Sequence, residues 1–268
     1  IMAEDIQKSI LARSLGVSRS TLYYKPIQPE KDEELRLQIV AVMAEHPAYG
    51  CRRIAITLNV GKNRVHRIMK RFGIYPKIKR RKRKYGTVRS TNKVPNRLSK
   101  IKVEKPNAAW AGDFTELRWH YNKRLYLATV IDCFTREIIG WRLATHHTSH
   151  LVISVLKESL INRGVTPALF HSDQGSEYTS QRCIDWLIEN KISPSHSPVG
   201  KPWNNGKQES FFSTFKLEFG KASRHETIPL LVEAIGRYIH YYNTRRIHSA
   251  LRKPPQSFFI ENMDGKVS

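Results

Sequence analysis

Three acidic residues that lie far apart in the chain are of the type that could hold divalent metal ions. Asp113 lies within the segment 110–115, Asp173 within the segment 171–175, and Glu209 follows Asp173 with 35 residues between them. Magnesium prefers oxygen ligands, and two such ions can clamp the attacking and leaving oxygens of an in-line displacement at phosphorus. The three carboxylates would therefore serve phosphoryl transfer, provided that the fold brings them together.

Each of these acids is predicted on a different element. Aromatic and β-branched residues around Asp113 indicate a strand. Asp173 follows a short apolar run and precedes Gly175, which indicates the end of a strand. Around Glu209, phenylalanines recur at helical spacing, at positions 212, 215 and 219. Each acid alone is more commonly a turn or surface residue, so only the combination indicates a site.

The charge of the chain is strongly positive and unevenly distributed. The 268 residues have a net charge of +23. Residues 1–105 contain 26 Lys and Arg against 8 Asp and Glu, a net of +18, whereas residues 106–268 contain 20 against 15, a net of +5. This asymmetry predicts a nucleic-acid-binding part followed by a catalytic part. The 10 Phe, 11 Tyr and 5 Trp favour a packed core over a ribosomal-type basic protein.

Two helix-turn-helix units are predicted in the basic half. The first spans residues 5–25, and the second has helices at 31–45 and 62–72 around a turn at 60–61. A basic helix of this length fits the major groove of DNA, although a solvated basic helix face is the alternative. The predicted DNA contacts of this half are Arg19, Arg52, Arg53, Lys62, Asn63, Arg64 and Arg67.

A basic segment follows the second unit. Seven of the eight residues 77–84 are Lys or Arg, and such density opposes independent folding because like charges repel. The segment is predicted to lie along DNA phosphates, with a solvated tether as the compatible alternative. Its predicted DNA contacts are Lys79, Arg80, Arg81, Lys82, Arg83 and Lys84.

The second half has an α/β pattern, in which three successive strands precede alternating helices and strands. Strands are predicted at 109–118, 124–132, 136–143, before Asp173 and at 191–195, with helices at 149–162, 179–190 and 228–243. Asp132 is predicted to be structural in a hairpin turn, and Pro254-Pro255 to end the regular structure. The loop 197–206 is predicted to close over DNA. Lys216, Arg245 and Arg246 are predicted DNA contacts, with structural roles as the alternative.

Six short motifs in this half resemble those of one protein family. They are Trp110–Thr115, Val130–Arg136 with Ile139–Trp141 after it, His171–Gly175, Glu209–Phe212, Tyr241–Asn243 and Arg246–Ser249. Residues 106–259 resemble the catalytic core shared by retroviral integrases and insertion-sequence transposases. They are most similar to the transposase group made by frameshifting between two overlapping reading frames.

The resemblance implies a ribonuclease H-like fold with a mixed five-stranded sheet, preceded by small all-α helix-turn-helix modules. It also implies dependence on two Mg²⁺ or Mn²⁺ ions held by Asp113, Asp173 and Glu209. Glu177 stands where the family usually has Gln, and Asn204 where it usually has Asp. The predicted domains are residues 1–28, 29–75, 76–105 (linker), 106–262 (catalytic core) and 263–268 (tail).

The function implied is a DNA transposase that binds the ends of an insertion sequence, cuts DNA and transfers a strand through attack by a 3′ hydroxyl. Two alternatives remain: a nuclease of the same fold without strand transfer, and a non-enzymatic helix-turn-helix regulator. The expected partners are double-stranded DNA, both terminal repeats and target, and a second copy of the chain or more, with no membrane and no small-molecule substrate. Three widely spaced cysteines indicate neither zinc nor disulfides, so a reducing cytoplasm is expected. The resemblance further implies a bacterial cell and association with the nucleoid.

Overall fold

The computed structural model describes residues 10–18, 20, 22, 28–76, 94–197 and 205–263. Residues 10–14 are helical and turn at Gly16, whose φ is +63°. About half of the predicted first helix-turn-helix, including Arg19, lies outside the described residues. The basic segment with Lys79, Arg80, Arg81, Lys82, Arg83 and Lys84 lies outside them as well.

Three helices form the next unit: α1 (Gln28–Glu45), α2 (Cys51–Thr57) and α3 (Lys62–Arg71). They enclose a small core to which Leu35, Ile39, Val65 and Ile68 contribute. The apolar face predicted for the last helix is confirmed at Val65 and Ile68, but Phe72 is 38% exposed because it lies just after α3 ends. The basic side of α3 faces solvent.

A mixed five-stranded sheet forms the second half, in the order β3-β2-β1-β4-β5. Neighbouring strands β1, β2 and β3 are antiparallel, whereas β4 is parallel to both β1 and β5. This arrangement confirms the predicted α/β architecture. The strands are β1 (Ala109–Arg118), β2 (Arg124–Asp132), β3 (Ile138–Ala144), β4 (Leu169–Ser172) and β5 (Ser193–His196).

Helices cover both faces of the sheet. They are α4 (Ser149–Arg163), α5 (Ser176–Thr179), α6 (Gln181–Glu189), α7 (Gly206–Glu218), α8 (Ile228–Thr244) and α9 (Pro255–Glu261). Residues of α4 and α6 form one core with the sheet, and residues of α7 and α8 form the other. Phe211 and Phe215 of α7 are fully buried, and each contributes about 2–3 kcal/mol to stability. This burial fixes α7 against the sheet.

Several boundaries differ from the sequence-based prediction, and β5, for example, begins at residue 193 rather than 191. Strand β3 begins at residue 138 rather than 136, because Asp132 Oδ1 accepts from the backbone amides of Phe134 and Thr135 at 2.8 and 2.7 Å and lengthens the turn. The structural role predicted for Asp132 is thereby confirmed. The predicted end of regular structure at Pro254-Pro255 is wrong, since α9 begins at Pro255. Proline is well tolerated at a first helical position, where its missing N–H has no partner to lose.

Among the described residues, no helix has both the length and the apolar character needed to cross a membrane.

Candidate active site

The pairing of β1 with β4 places Asp113 beside Asp173. The parallel register pairs Ala109 with Leu169 and Ala111 with His171, so the same register continued by two residues sets Asp113 opposite Asp173. Neighbouring strands lie about 4.8 Å apart. Strand β4 ends at residue 172, so Asp173 stands at its carboxyl end while β1 runs on past it. Two of the three predicted acids are therefore close to each other at the carboxyl end of β4.

The backbone around Asp173 is held in a defined turn. Its Oδ1 accepts from the Gly175 amide at 3.0 Å, and its carbonyl oxygen accepts from Ser172 Oγ at 2.9 Å. A Cβ at residue 175 would lie 2.8 Å from Glu177 Oε2 and 3.2 Å from Asp173 Oδ1, so the end of the Glu177 side chain would have to move. The glycine therefore allows two carboxylates to approach this turn.

Gln208 anchors the start of α7 on the sheet. Its Nε2 donates to the carbonyl oxygens of Ala111 at 2.7 Å and Thr129 at 3.0 Å, while Thr129 Oγ1 donates to its Oε1 at 3.0 Å. Thr129 is the cross-strand partner of Asp113. Glu209 is the next residue after this buried anchor and lies in the first turn of α7. The residue before the third predicted acid is thus attached to β1 at Ala111, two positions before Asp113.

Sequence reasoning missed Gln208, although a signal existed. The residue occupies a position that continues the apolar face formed by Phe211, Phe212 and Phe215 at helical spacing. A polar side chain on such a face needs buried hydrogen-bond partners, and here the partners are strand carbonyls that lie far away in the sequence.

Replacing Gln208 with Leu is expected to lower the free energy of unfolding by about 2–4 kcal/mol, because two strand carbonyls and the Thr129 hydroxyl would each lose a buried hydrogen bond. Gln181 is the matched control, since its amide donates to Asp185 on an exposed helix surface, so Gln181→Leu should change stability by less than about 0.5 kcal/mol. Urea unfolding of both variants measures the difference. Equal effects would show that the Gln208 anchor is not important for stability.

The negative charges of the other two acids act on the carboxyl group of Asp113. Burial and the negative charges of Asp173 and Glu209 raise the pKa of Asp113 to about 8, against the opposing effects of the Phe114 amide and Lys216. Burial and the charge of Glu177 also raise the pKa of Asp173, against the Gly175 amide and His196. A bound cation would stabilise the charged forms of carboxylates that repel each other in this way.

The oxygen donors and the excess negative charge at these acids fit a divalent cation such as magnesium. Within the part of the chain that the structure describes, no three His, Cys, Asp or Glu side chains already stand close enough to form a metal cluster. Holding one ion between Asp113, Asp173 and Glu209 would require their carboxylates to move closer together. Glu209 sits on a helix and Asp173 on a turn, so their side chains can adjust while the backbone stays in place.

The raised pKa of Asp113 gives a test in metal-free protein. The ordinary value is 3.8 and the folded value is about 8, so between these pH values the folded state binds the proton more tightly than the unfolded state. Stability should therefore fall with rising pH, by up to about 1.4 kcal/mol per unit, relative to an Asp113→Asn variant. Urea unfolding in EDTA at pH 5, 6, 7 and 8 measures this trend. A constant difference between the two proteins would contradict it.

A fourth acid, Glu177, lies buried beside the site. Its Oε1 is paired with Nδ1 of His147, an exposed residue whose ring contacts Phe114 and Tyr126. Glu177 differs from the Gln usual in the resembled family, and the structure shows that His147 is its hydrogen-bond partner. The additional carboxylate raises the pKa of Asp173 without being one of the three predicted ligands.

The predicted DNA contacts differ in how far they are available to a ligand. Arg245 and Lys216 are exposed, as is Arg52. Arg67 is exposed but pairs at 2.7 Å with buried Asp32. The α3 residues Lys62, Asn63, Arg64 and Arg67 share an exposed face.

Two of the predicted contacts need correction. Arg246 is 4% exposed and its guanidinium makes a bidentate ion pair with Glu218, with both hydrogen bonds at 2.8 Å. Arg53 donates to the Ala48 carbonyl at 3.0 Å, lies over the Tyr49 ring and reaches Glu218 at 3.6 Å. Both side chains are used inside the protein, so the prediction of exposed DNA contacts at these positions is wrong.

The same contacts join the helical unit to the catalytic half. Besides Arg53 with Glu218, His46 Nδ1 shares a hydrogen bond of 2.8 Å with the Tyr241 hydroxyl, and the Ile247 amide donates to the Tyr49 hydroxyl at 2.7 Å. Glu218 is the last residue of α7, the helix that begins next to Glu209. One helix thus links the acids to the helix-turn-helix unit.

An integrase-type core behind a helix-turn-helix-like unit defines a class of polynucleotidyl transferases. Family models described as "Integrase core domain" match residues 103–202 and 190–255, and one described as "HTH-like domain" matches residues 30–82. The chain belongs to the transposases of insertion-sequence elements. It is accordingly a DNA transposase with a ribonuclease H-like core, which depends on divalent metal and cleaves and transfers DNA strands.

The relatives support this assignment over nearly the whole chain. The transposase for insertion sequence element IS904 of Lactococcus lactis is 35% identical over 88% of this chain and 98% of its own length. A putative transposase, InsK of element IS150 from Escherichia coli, is 33% identical over 90% of this chain and 89% of its own. Among solved structures, the HTLV-2 integrase catalytic core domain in complex with magnesium gives a TM-score of 0.44 at 20% identity, covering 58% of this chain and 97% of that one.

Proposed function

We propose that Asp113, Asp173 and Glu209 are the catalytic carboxylates of this transposase and that together they bind two Mg²⁺ or Mn²⁺ ions. The observation that supports this most strongly is the Gln208 anchor. It attaches the first turn of α7 to β1, which contains Asp113, and to β2, which contains its cross-strand partner Thr129. The electrostatic coupling of Asp113 to the other two acids supports it independently.

The three acids would hold the ions, and Lys216 would hold the DNA beside them. When bound, the two ions would activate the attacking oxygen and neutralise charge on the leaving oxygen of an in-line displacement. Asp113 holds its carboxylate within the strand, while Asp173 and Glu209 approach it from a turn and a helix. Lys216 is exposed and its charge reaches Asp113, so it orients a backbone phosphate beside the site. Water is the attacking group in the first step and the freed 3′ hydroxyl in the second.

The DNA substrate is the end of the element. The exposed face of α3 binds the terminal repeat in the major groove through Lys62, Asn63, Arg64 and Arg67, a geometry typical of helix-turn-helix units. Two ends and a target must be held at once, so the active assembly contains at least two copies of the chain.

A strand-transfer assay tests this function. The full-length protein is mixed with DNA of the element's own end, labelled at the 3′ terminus that becomes free, together with Mg²⁺. We expect a nick at the element boundary followed by a longer, strand-joined product that contains the label. A nick without any joined product would instead indicate a nuclease that stops at hydrolysis. No cleavage at all with Mg²⁺ or Mn²⁺ would overturn the proposed function.

A further inference from the structure

Two neighbouring cavities form one groove between the catalytic helix and the helix-turn-helix unit. The first, of about 660 Å³, lies among the start of α2, Ser210 of α7 and the segment after α8. The second, of about 540 Å³, continues to Lys62 at the start of α3. Both are lined by Arg52 and Ser249. One end of the groove therefore lies at Ser210, the residue after Glu209 on α7, and the other end lies at the start of the proposed DNA-reading helix.

The groove is positively charged along its length. Arginines line both cavities and Lys62 lines the second, while none of the described residues lining either one is acidic. Glu218, which does not line either cavity, pairs with Arg246 and Arg53 and neutralises part of their charge. Arg52 is exposed and forms no ion pair with any described residue, which leaves its guanidinium available to a ligand. A groove of this kind is suited to a polyanion.

His248 adds a polar group without a partner. Its Nδ1 is buried and has no hydrogen-bond partner among the described residues, although the residue lines the first cavity. Burial and the positive charges of Arg136, Arg246 and Arg53 lower the pKa of His248 to about 4. The ring is therefore neutral at pH 7, and each of its nitrogens can either donate or accept one hydrogen bond.

We propose that this groove binds the sugar–phosphate backbone of the element-end DNA between the base pairs held by α3 and the phosphodiester cut beside Glu209. This inference rests on the proposed function. Phosphate oxygens accept charge-assisted hydrogen bonds from guanidinium groups, which Arg52 and Arg252 supply, and from hydroxyls such as that of Ser210. The groove then sets the distance between the terminal repeat and the cut.

The chain's own basic segment is a poor occupant of this groove. Residues 77–84 contain seven basic residues, and placing them against the arginine-lined walls would bring like charges together. The walls themselves are held in place by the contacts between Arg53, Arg246 and Glu218. The groove is therefore formed before DNA binds and favours a negatively charged occupant.

Binding measured without metal tests the groove separately from catalysis. Affinity of the full-length protein for end DNA is measured by fluorescence anisotropy in EDTA across a range of salt concentrations. Arg52→Gln should weaken binding several-fold and reduce the slope of log affinity against log salt by about 0.9 for each phosphate that the protein no longer neutralises. Arg237→Gln is the matched control, since Arg237 is exposed on α8, pairs with Glu233 and lines neither cavity. Arg252→Gln is a second groove variant.

Single methylphosphonate substitutions then identify the phosphates involved. With the wild-type protein, neutralising one or two of the phosphates between the terminal repeat and the cut should weaken binding. In Arg52→Gln, neutralising these same phosphates should have little further effect. The inference is overturned if the affinity stays unchanged whichever phosphate in that interval is neutralised. It is also overturned if neutralising a phosphate weakens binding equally in the wild type and in Arg52→Gln. Neither result would change DNA cleavage by the wild-type protein. The groove inference can therefore be wrong while the proposed function stands.

Discussion

Changing Glu209 to Gln is expected to lower DNA strand cleavage and strand joining at least about a thousandfold, which corresponds to about 4 kcal/mol of transition-state stabilisation. The amide has nearly the same size but is a much weaker metal ligand than the carboxylate. The side chain is half-buried at the start of α7, where the Gln208 anchor stays intact, so the fold should persist. Cleavage of labelled end DNA in Mg²⁺ under single-turnover conditions measures the effect.

Binding of the same DNA supplies the control for this variant. Glu209→Gln should bind end DNA at least as well as the wild type in EDTA, because it removes a negative charge near the phosphates. The neighbouring change Ser210→Ala should keep cleavage within about tenfold, as expected for one phosphate contact. Cleavage by Glu209→Gln within about tenfold of wild type would exclude Glu209 from the catalytic group.

Replacing Arg246 with Ala is expected to lower the free energy of unfolding by about 3–5 kcal/mol, because it removes the bidentate partner of the buried Glu218 carboxylate and leaves only the more distant Arg53. Glu218 and Arg246 have side chains that are 8% and 5% exposed. Burial lowers the pKa of Arg246, but the hydrogen bonds and charge of Glu218 outweigh this and hold it above the ordinary value. Urea unfolding at pH 7 measures the destabilisation.

The adjacent arginine is the matched control for Arg246. Arg245 is 67% exposed and lies 3.8 Å from Glu45, so Arg245→Ala should change stability by no more than about 1 kcal/mol. Changing Arg246 to Met together with Glu218 to Leu should recover most of the stability, because neither charge is then buried alone. Similar destabilisation by Arg246→Ala and Arg245→Ala would show that the buried Arg246–Glu218 pair is not important for stability.

Local pattern was enough to predict much of the fold. The strands at 109–118 and 124–132 are confirmed at both ends, because a hairpin turn and a run of apolar and β-branched residues define each of them. Gly164 ends α4 as predicted, in the left-handed conformation with φ of 65°, which glycine adopts at low cost. These features depend on residues close together in the chain.

Features that depend on distant partners were not predictable. Whether Arg246 contacts DNA or another residue depends on Glu218, 28 positions earlier, and on Arg53, which approaches from the helix-turn-helix unit. The pattern around Arg246 shows only a basic residue after a helix, which suits either role. Gln208 is a similar case, since its acceptors lie on β1 and β2. The metal-binding role of the three acids stays a prediction from residue type, motif and fold.

Anomalous scattering from crystals of the protein containing Mn²⁺ would test the central claim most directly. We expect manganese peaks within bonding distance of carboxylate oxygens of Asp113, Asp173 and Glu209, and the disappearance of at least one peak in Asp113→Asn. Manganese bound elsewhere, with these three carboxylates making no contact to it, would contradict the account.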